Sequence, residues 1–104
     1  MSRNGIELRA TSRSRPKAIA PGLVAFVGEL PGFSQVVVLE HGGGYISLTG
    51  RLLTVDVEVG NPVQAGDELG KVAPKATDDG LGRTVYLELR HGDRPIDPAP
   101  YLRR

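Results

Sequence analysis

The sequence offers two histidines, His41 and His91, as its clearest candidates for chemistry. A catalytic zinc ion takes three protein ligands and a water, and a structural zinc ion takes four protein ligands. Because the chain has no cysteine, a zinc site would need carboxylates such as Glu7, Glu40 or Glu88. Each histidine precedes a glycine at a predicted turn, where a hydrogen-bonding role is the commoner one. We therefore expect no metal site and no cofactor.

Other common chemistries have weaker support. No serine lies in a G-x-S-x-G turn, so the HGGG segment at 41–44 is better interpreted as a hairpin turn than as an oxyanion loop. The glycine patterns of nucleotide-binding loops are absent, and aromatic residues are too few to stack nucleic-acid bases. The formal net charge of +1 gives no global field to recruit nucleic acid or an anionic membrane. We expect neither nucleic-acid binding nor membrane insertion.

The segment VEVGNPVQAGDELGKV at 57–72 resembles the hairpin of lipoyl and biotinyl carrier domains. Those domains need an exposed lysine at a hairpin tip to carry the cofactor. Lys71 and Lys75 are the nearby lysines, and neither lies in such a tip motif. We interpret the pattern as a shared hairpin shape.

The elements that must position these residues are short strands. Fourteen glycines and eight prolines predict many turns. Alternating or β-branched runs predict strands at 5–9, 34–41, 45–48 and 84–91, and no segment has helical periodicity over three turns. The expected fold is all-β, a single small domain over residues 1–104 built as an antiparallel sheet or flattened barrel. A chain of 104 residues can bury one modest core.

Six segments in a fixed order resemble the LytM-type zinc endopeptidases of bacterial cell walls along nearly the whole chain. They are RNGIEL (3–8), KAIAPGLV (17–24), VVLEHGGGYISL (37–48), VEVGNPVQAGDELGKV (57–72), GRTVYLELR (82–90) and PIDPAPYL (95–102). The resemblance implies a β-sheet fold with a cleft that holds zinc in the active members.

This sequence departs from the family's pattern at the catalytic positions. The first motif of active members is H-x-x-x-D, and Arg3 and Glu7 occupy its two ends here. Arg51 stands where a catalytic histidine is expected. In the last motif, H-x-H, the histidines are replaced by Thr84 and Tyr86. Without these ligands, the Lewis acid that activates water is missing, so we expect no peptidase activity.

These departures resemble the degenerate LytM branch, typified by EnvC-like and NlpD-like murein hydrolase activators. The resemblance implies a periplasmic domain at the division site that binds an N-acetylmuramoyl-L-alanine amidase through its metal-free cleft and activates it. The start of the chain, MSRNGIELRA, has no apolar signal region, so we expect a domain cut from a longer exported protein. A monomer is the simplest expectation for it.

The resemblance places a partner-binding groove at the vacated cleft, and its expected residues are Arg3, Asn4, Glu7, Arg51, Tyr86 and Arg90. Arginine and tyrosine are enriched among the residues that dominate binding energy at interfaces. Two alternatives remain open at this stage. The same cleft could bind peptidoglycan, with arginines on the stem-peptide carboxylates, or a residual metallohydrolase could use Glu7 with other carboxylates.

Overall fold

The computed structural model describes residues 5–11, 13–72 and 83–102, with the backbone alone at Leu102. The strands there are β1 (Ile6–Arg9), β2 (Gly22–Leu30), β3 (Ser34–Gly42), β4 (Tyr45–Val55), β5 (Pro62–Val63), β6 (Gly70–Val72), β7 (Thr84–His91) and β8 (Arg94–Ile96). A short 3-10 helix, Ala99–Leu102, follows β8.

The strands form one antiparallel sheet in the order β1-β7-β4-β3-β2-β5, with β6 beside β4 and β8 beside β7. The predicted all-β fold with an antiparallel sheet is therefore confirmed. The strands predicted at 5–9, 34–41 and 84–91 are present within one residue of their expected ends, whereas the strand predicted at 45–48 continues to Val55, where it pairs with β6. No helix in the described part of the chain is long and apolar enough to cross a membrane.

The central hairpin joins β3 to β4 as the HGGG segment predicts. Gly43 and Gly44 form the turn with φ of 63° and 84°. A two-residue turn with positive φ at both positions matches the right-handed twist of the two strands, and glycine adopts it without strain. The turn sets the register of β4 against β3 and so fixes which β4 side chains reach each face of the sheet.

The two faces of the sheet bury different clusters. Strand alternation puts Glu7, Thr84 and Tyr86 on one face, which we call the site face. The main core lies on the opposite face and consists of Ala18, Val24, Val37, Leu39, Leu52, Val63 and Leu69. A smaller cluster of Phe33, Val36 and Tyr86, with Leu30 and Leu48 packed against it, lies on the site face.

Strand β4 breaks its alternation where it passes the site. Thr49 and Leu52 both turn to the opposite face although they are three positions apart. Arg51 has a φ of 65°, a left-handed conformation that costs a residue with a Cβ roughly 1–3 kcal/mol. Its backbone N–H donates to the Phe33 carbonyl. The break returns the Arg51 side chain to the site face, whereas regular alternation would have sent it to the core.

Replacing Leu39 with alanine tests the position of the main core. Leu39 is completely buried, so Leu39→Ala removes packed methyl groups and should lower the free energy of unfolding by about 2–5 kcal/mol. Leu53, which is 52% exposed, offers the same substitution as a control, with an expected loss below about 1 kcal/mol. Urea denaturation measures both, and equal losses would contradict this assignment of the core.

Candidate functional site

A bidentate ion pair between Glu7 and Arg51 occupies the centre of the site face. Arg51 donates from Nε to Glu7 Oε1 and from Nη2 to Glu7 Oε2, both at 2.8 Å. The side chains of Arg51 and Glu7 are only 9% and 13% exposed. The third guanidinium nitrogen, Nη1, donates to the Gly32 carbonyl at 3.0 Å. The fork of the guanidinium matches the two oxygens of the carboxylate, which is the strongest geometry for such a pair.

Two further groups complete the polar environment of Glu7 and Arg51. The Thr84 hydroxyl donates to Glu7 Oε1 at 2.8 Å, so this oxygen accepts from both Arg51 and Thr84. On the other side, the Arg51 guanidinium carbon lies 5.8 Å from the centre of the Phe33 ring, within the range of a cation–π contact. The charge of Arg51 is thus held between a carboxylate and an aromatic ring.

A second polar chain runs along β7 from Tyr86. The Tyr86 hydroxyl donates to Glu88 at 2.7 Å and accepts from the Gly5 backbone N–H at 2.9 Å. Glu88 also accepts from Arg90 at 3.0 Å, and Arg90 donates a second bond to the Asp93 carbonyl. Tyr86 therefore ties the start of β1 to the charged residues further along β7.

Aromatic packing fixes the orientation of Tyr86. Its ring lies 4.6 Å from that of Phe33 with a tilt of 48°, a favourable arrangement for an aromatic pair. The cross-strand neighbour of Tyr86 on β4 is Gly50. A Cβ at Gly50 would come within 3.3 Å of Val36 and 3.4 Å of Phe33. A glycine here lets Phe33 pack closely onto the sheet beside Tyr86.

The structure brings together three of the six predicted groove residues. Glu7 and Tyr86 are register partners on β1 and β7, and Arg51 reaches them from β4. Arg90 joins through Glu88, while Arg3 and Asn4 lie outside the described residues. Tyr86 is only 1% exposed and Arg51 only 8%, so both form the buried base of the site.

Sequence reasoning left several residues of the site out of the groove. Thr84 was recognised as standing at the position of a catalytic histidine but not as a partner of Glu7. Phe33 had no signal of a role here. Glu88 was considered only as a possible carboxylate of a metal site and not as a partner of Tyr86. Only the i, i+2 spacing of Tyr86, Glu88 and Arg90 on one strand could have placed Glu88 beside them.

These residues do not fit the zinc ion that active LytM-type enzymes hold. Both oxygens of Glu7 are engaged by a cationic guanidinium, which would repel a dication at the same place. Thr84 and Tyr86 offer hydroxyls that are themselves engaged with carboxylates. No group of three His, Cys, Asp or Glu residues in the described ranges is arranged to hold a metal ion.

Both histidines have structural partners away from this centre. His41 bonds through Nδ1 to the Pro21 carbonyl and through Nε2 to the Ser47 hydroxyl, each at 2.8 Å. His91 stacks on Tyr45 with ring centres 4.1 Å apart and bonds to the Gly43 carbonyl at 3.0 Å. The hydrogen-bonding role expected for each histidine is what the structure shows.

An apolar row crosses the site face beside the polar centre. Phe26, Val38, Leu48 and Glu88 are successive register partners on β2, β3, β4 and β7. Phe26 is 41% exposed, and Val38 and Leu48 are half-buried. The row ends at the Glu88–Arg90 pair, whose Arg90 side chain is 31% exposed. The site face therefore presents apolar side chains next to a charged edge.

A double-mutant cycle tests the energetic weight of the Glu7–Arg51 pair. Arg51→Met leaves the Glu7 carboxylate buried without its cation and should cost about 3–5 kcal/mol of unfolding free energy. Glu7→Gln should cost a similar amount, and the double variant should cost clearly less than the sum of the two. The measurement is urea denaturation of all four proteins.

The Glu88–Arg90 pair serves as the internal control for this cycle. Because Arg90 is more exposed than Arg51, Arg90→Met should cost less than about 1 kcal/mol. The central pair contributes little if Arg51→Met lowers the unfolding free energy no more than Arg90→Met does. Strictly additive costs in the cycle would show the same.

Comparison with known proteins matches this chain to one family. Peptidase family M23 matches residues 1–98. Among curated proteins, the murein hydrolase activator EnvC of Escherichia coli is 37% identical over 96% of this chain. The cell division protein DipM of Caulobacter vibrioides is 27% identical over 97% of it. The chain spans only 23% and 17% of the lengths of these two relatives.

The fold matches solved structures of the same family. The crystal structure of a putative peptidase M23 from Pseudomonas aeruginosa superposes with a TM-score of 0.83 at 30% identity, covering 95% of this chain and 43% of that one. The ordered segments, the sheet and the family match agree. The chain belongs to peptidase family M23, the LytM-type family, and its similarity to EnvC confirms the resemblance to the degenerate, activator-type branch.

Proposed function

We propose that this domain is a catalytically inactive LytM-type regulator that binds a cell-wall N-acetylmuramoyl-L-alanine amidase on its site face and activates it. The observation that carries the proposal is the Glu7–Arg51 pair, in which a guanidinium takes the central place that a metal cation would need. The domain then keeps the frame of a peptidase without its water-activating group. The similarity to a relative named as a murein hydrolase activator supports the regulatory half of the proposal.

The surface beside the pair has the features of a docking site for a protein segment. The row from Phe26 to Leu48 supplies apolar area, and the Glu88–Arg90 pair supplies charge at its end. An amphipathic segment binds such a surface by setting its apolar residues on the row and its polar residues at the edge. Arg51 and Tyr86 are buried beneath this surface and support it.

Activation follows if the domain prefers one conformation of the amidase. An amidase that exchanges between a closed and an open form is shifted toward the open form by any partner that binds the open form more tightly. The shift in free energy equals the difference in affinity for the two forms. We place this action in the cell envelope during cell division, in line with the names of the relatives.

The peptidoglycan-binding alternative relied on free arginines in the cleft. In the structure, Arg51 is paired with Glu7 and Arg90 is paired with Glu88. Stem-peptide carboxylates would have to displace these partners. The site face therefore favours a protein segment with apolar anchors over a carboxylate-rich glycan peptide.

The direct test is release of dye from labelled sacculi by a purified periplasmic amidase, with and without the domain. The domain alone should release no dye, and the amidase should release it faster when the domain is present. Dye release by the domain alone would contradict the inactive assignment. An amidase that does not respond would contradict activation, and sacculus binding without that response would support the peptidoglycan alternative.

Matched variants test whether the site face is the docking surface. Phe26→Asp places a charge on the apolar row, and Arg90→Glu reverses the charge at its end. Each should weaken activation at least about tenfold, because loss of a central anchor costs 1.4 kcal/mol or more. The controls Leu53→Asp and Arg94→Glu make the same changes at exposed positions outside the row and should activate normally. Equal losses in variants and controls would place the docking surface elsewhere.

A further inference from the structure

A cavity of about 630 Å³ lies under the opposite face of the sheet, away from the Glu7–Arg51 pair. Its floor is built from Leu8, Thr49, Val85 and Leu87. Its walls come from the segment 14–19, from Ala65–Gly66 and from Tyr101 after β8. A volume of roughly 300–1,000 Å³ is usual for pockets that hold small ligands.

The sheet register separates this cavity from the site face. Leu8 pairs with Val85 across β1 and β7, and Thr49 pairs with Leu87 across β4 and β7. Each of these residues neighbours a site-face residue in sequence, so its side chain points the other way. The floor is thus the reverse side of the strands that hold Glu7 and Tyr86.

The Thr49 hydroxyl is a polar group at the floor of the cavity. Thr49 is only 5% exposed and lines the cavity. Within the described residues its hydroxyl has no hydrogen-bond partner, although no fully enclosed side-chain polar atom there lacks one. The hydroxyl must therefore open into the cavity, where it can bond to a ligand.

Two cations, Arg15 and Lys17, also line the cavity. Neither forms an ion pair with a carboxylate in the part of the chain that the structure describes, and the Arg15 side chain donates to the neighbouring Ser14 carbonyl. Arg51 and Arg90 on the site face, by contrast, are both paired. Two unpaired cations beside an apolar floor favour an anionic ligand with an apolar part.

We propose that this cavity binds a short peptide segment that carries a free carboxylate beside an aliphatic side chain. The aliphatic group would pack on Leu8, Val85 and Leu87. The carboxylate would accept charge-assisted hydrogen bonds from Arg15 and Lys17 at the rim. The Thr49 hydroxyl would bond to a peptide group between the two. This site is independent of amidase activation, since it lies on the other face of the sheet.

The test is a titration of the ¹⁵N-labelled domain followed by NMR. The probe is an acetylated tripeptide with a central leucine and a free C-terminal carboxylate, and the same peptide with a C-terminal amide is its control. The acid should shift the amide signals of Thr49, Val85 and Leu87 saturably, and the amide should bind at least tenfold more weakly.

Variants separate this site from general attraction between charges. Arg15→Glu combined with Lys17→Glu should abolish the saturable shifts. Thr49→Val should weaken binding severalfold. Lys71→Glu, which removes an exposed lysine outside the cavity, should leave binding unchanged.

Four outcomes would overturn the proposal. They are the absence of saturable shifts with the acid, equal binding of acid and amide, shifts that map to the site face, and the same shifts produced by inorganic phosphate alone. The NMR titration does not depend on sacculus hydrolysis by the amidase. A negative titration therefore leaves the regulatory proposal standing, and a negative hydrolysis assay leaves the proposal of a peptide site standing.

Discussion

The bidentate bond between Arg51 and Glu7 is the interaction on which the site face depends. A carboxylate that is 13% exposed needs a cation or several donors nearby to stay charged. In a metallopeptidase a dication meets this need, whereas here the guanidinium of Arg51 does so with two directed bonds to the carboxylate. Because the donor belongs to the chain itself, the site keeps its geometry without any metal. The same bond ties β1 to β4 across the intervening β7, since Glu7 and Arg51 lie on strands that do not pair with each other.

This arrangement has a cost in backbone conformation that the rest of the site offsets. Arg51 adopts a left-handed φ, and β4 loses its regular alternation there. The strain is balanced by the hydrogen bonds of the guanidinium, by the bond from the Arg51 N–H to Phe33, and by the packing of Phe33 on Tyr86. Fixing Phe33 and Tyr86 also supports Leu48, which packs against their cluster. The polar centre and the apolar row are therefore parts of one packed unit, and this links the Glu7–Arg51 pair to the proposed docking surface.

Much of the fold could be predicted from the sequence, because its strands have strong local signals. The valine run in β3, the two glycines of the β3–β4 turn and the alternation in β7 each specify a structure within a few residues. The site was only partly predictable. Glu7, Arg51 and Tyr86 were located by their positions in the family's motifs, but their burial depends on contacts between residues 44 or more positions apart, such as Arg51 with Glu7. The positive φ of Arg51 had no signal at all, since arginine is not a residue that favours it. The cavity on the opposite face was equally hidden, because its lining comes from six separate segments of the chain.

The central claim is tested most directly by calorimetric titration of the domain with Zn²⁺ at neutral pH. A zinc-dependent M23 peptidase stripped of its metal is the positive control. The account predicts no saturable heat and no rise in the unfolding temperature of the domain, because the one carboxylate at the centre is already bound by Arg51. The control should bind one ion per chain with a clear rise in its unfolding temperature. Stoichiometric binding of zinc by the domain, lost in Glu7→Gln, would contradict the claim that a guanidinium has taken the place of the metal.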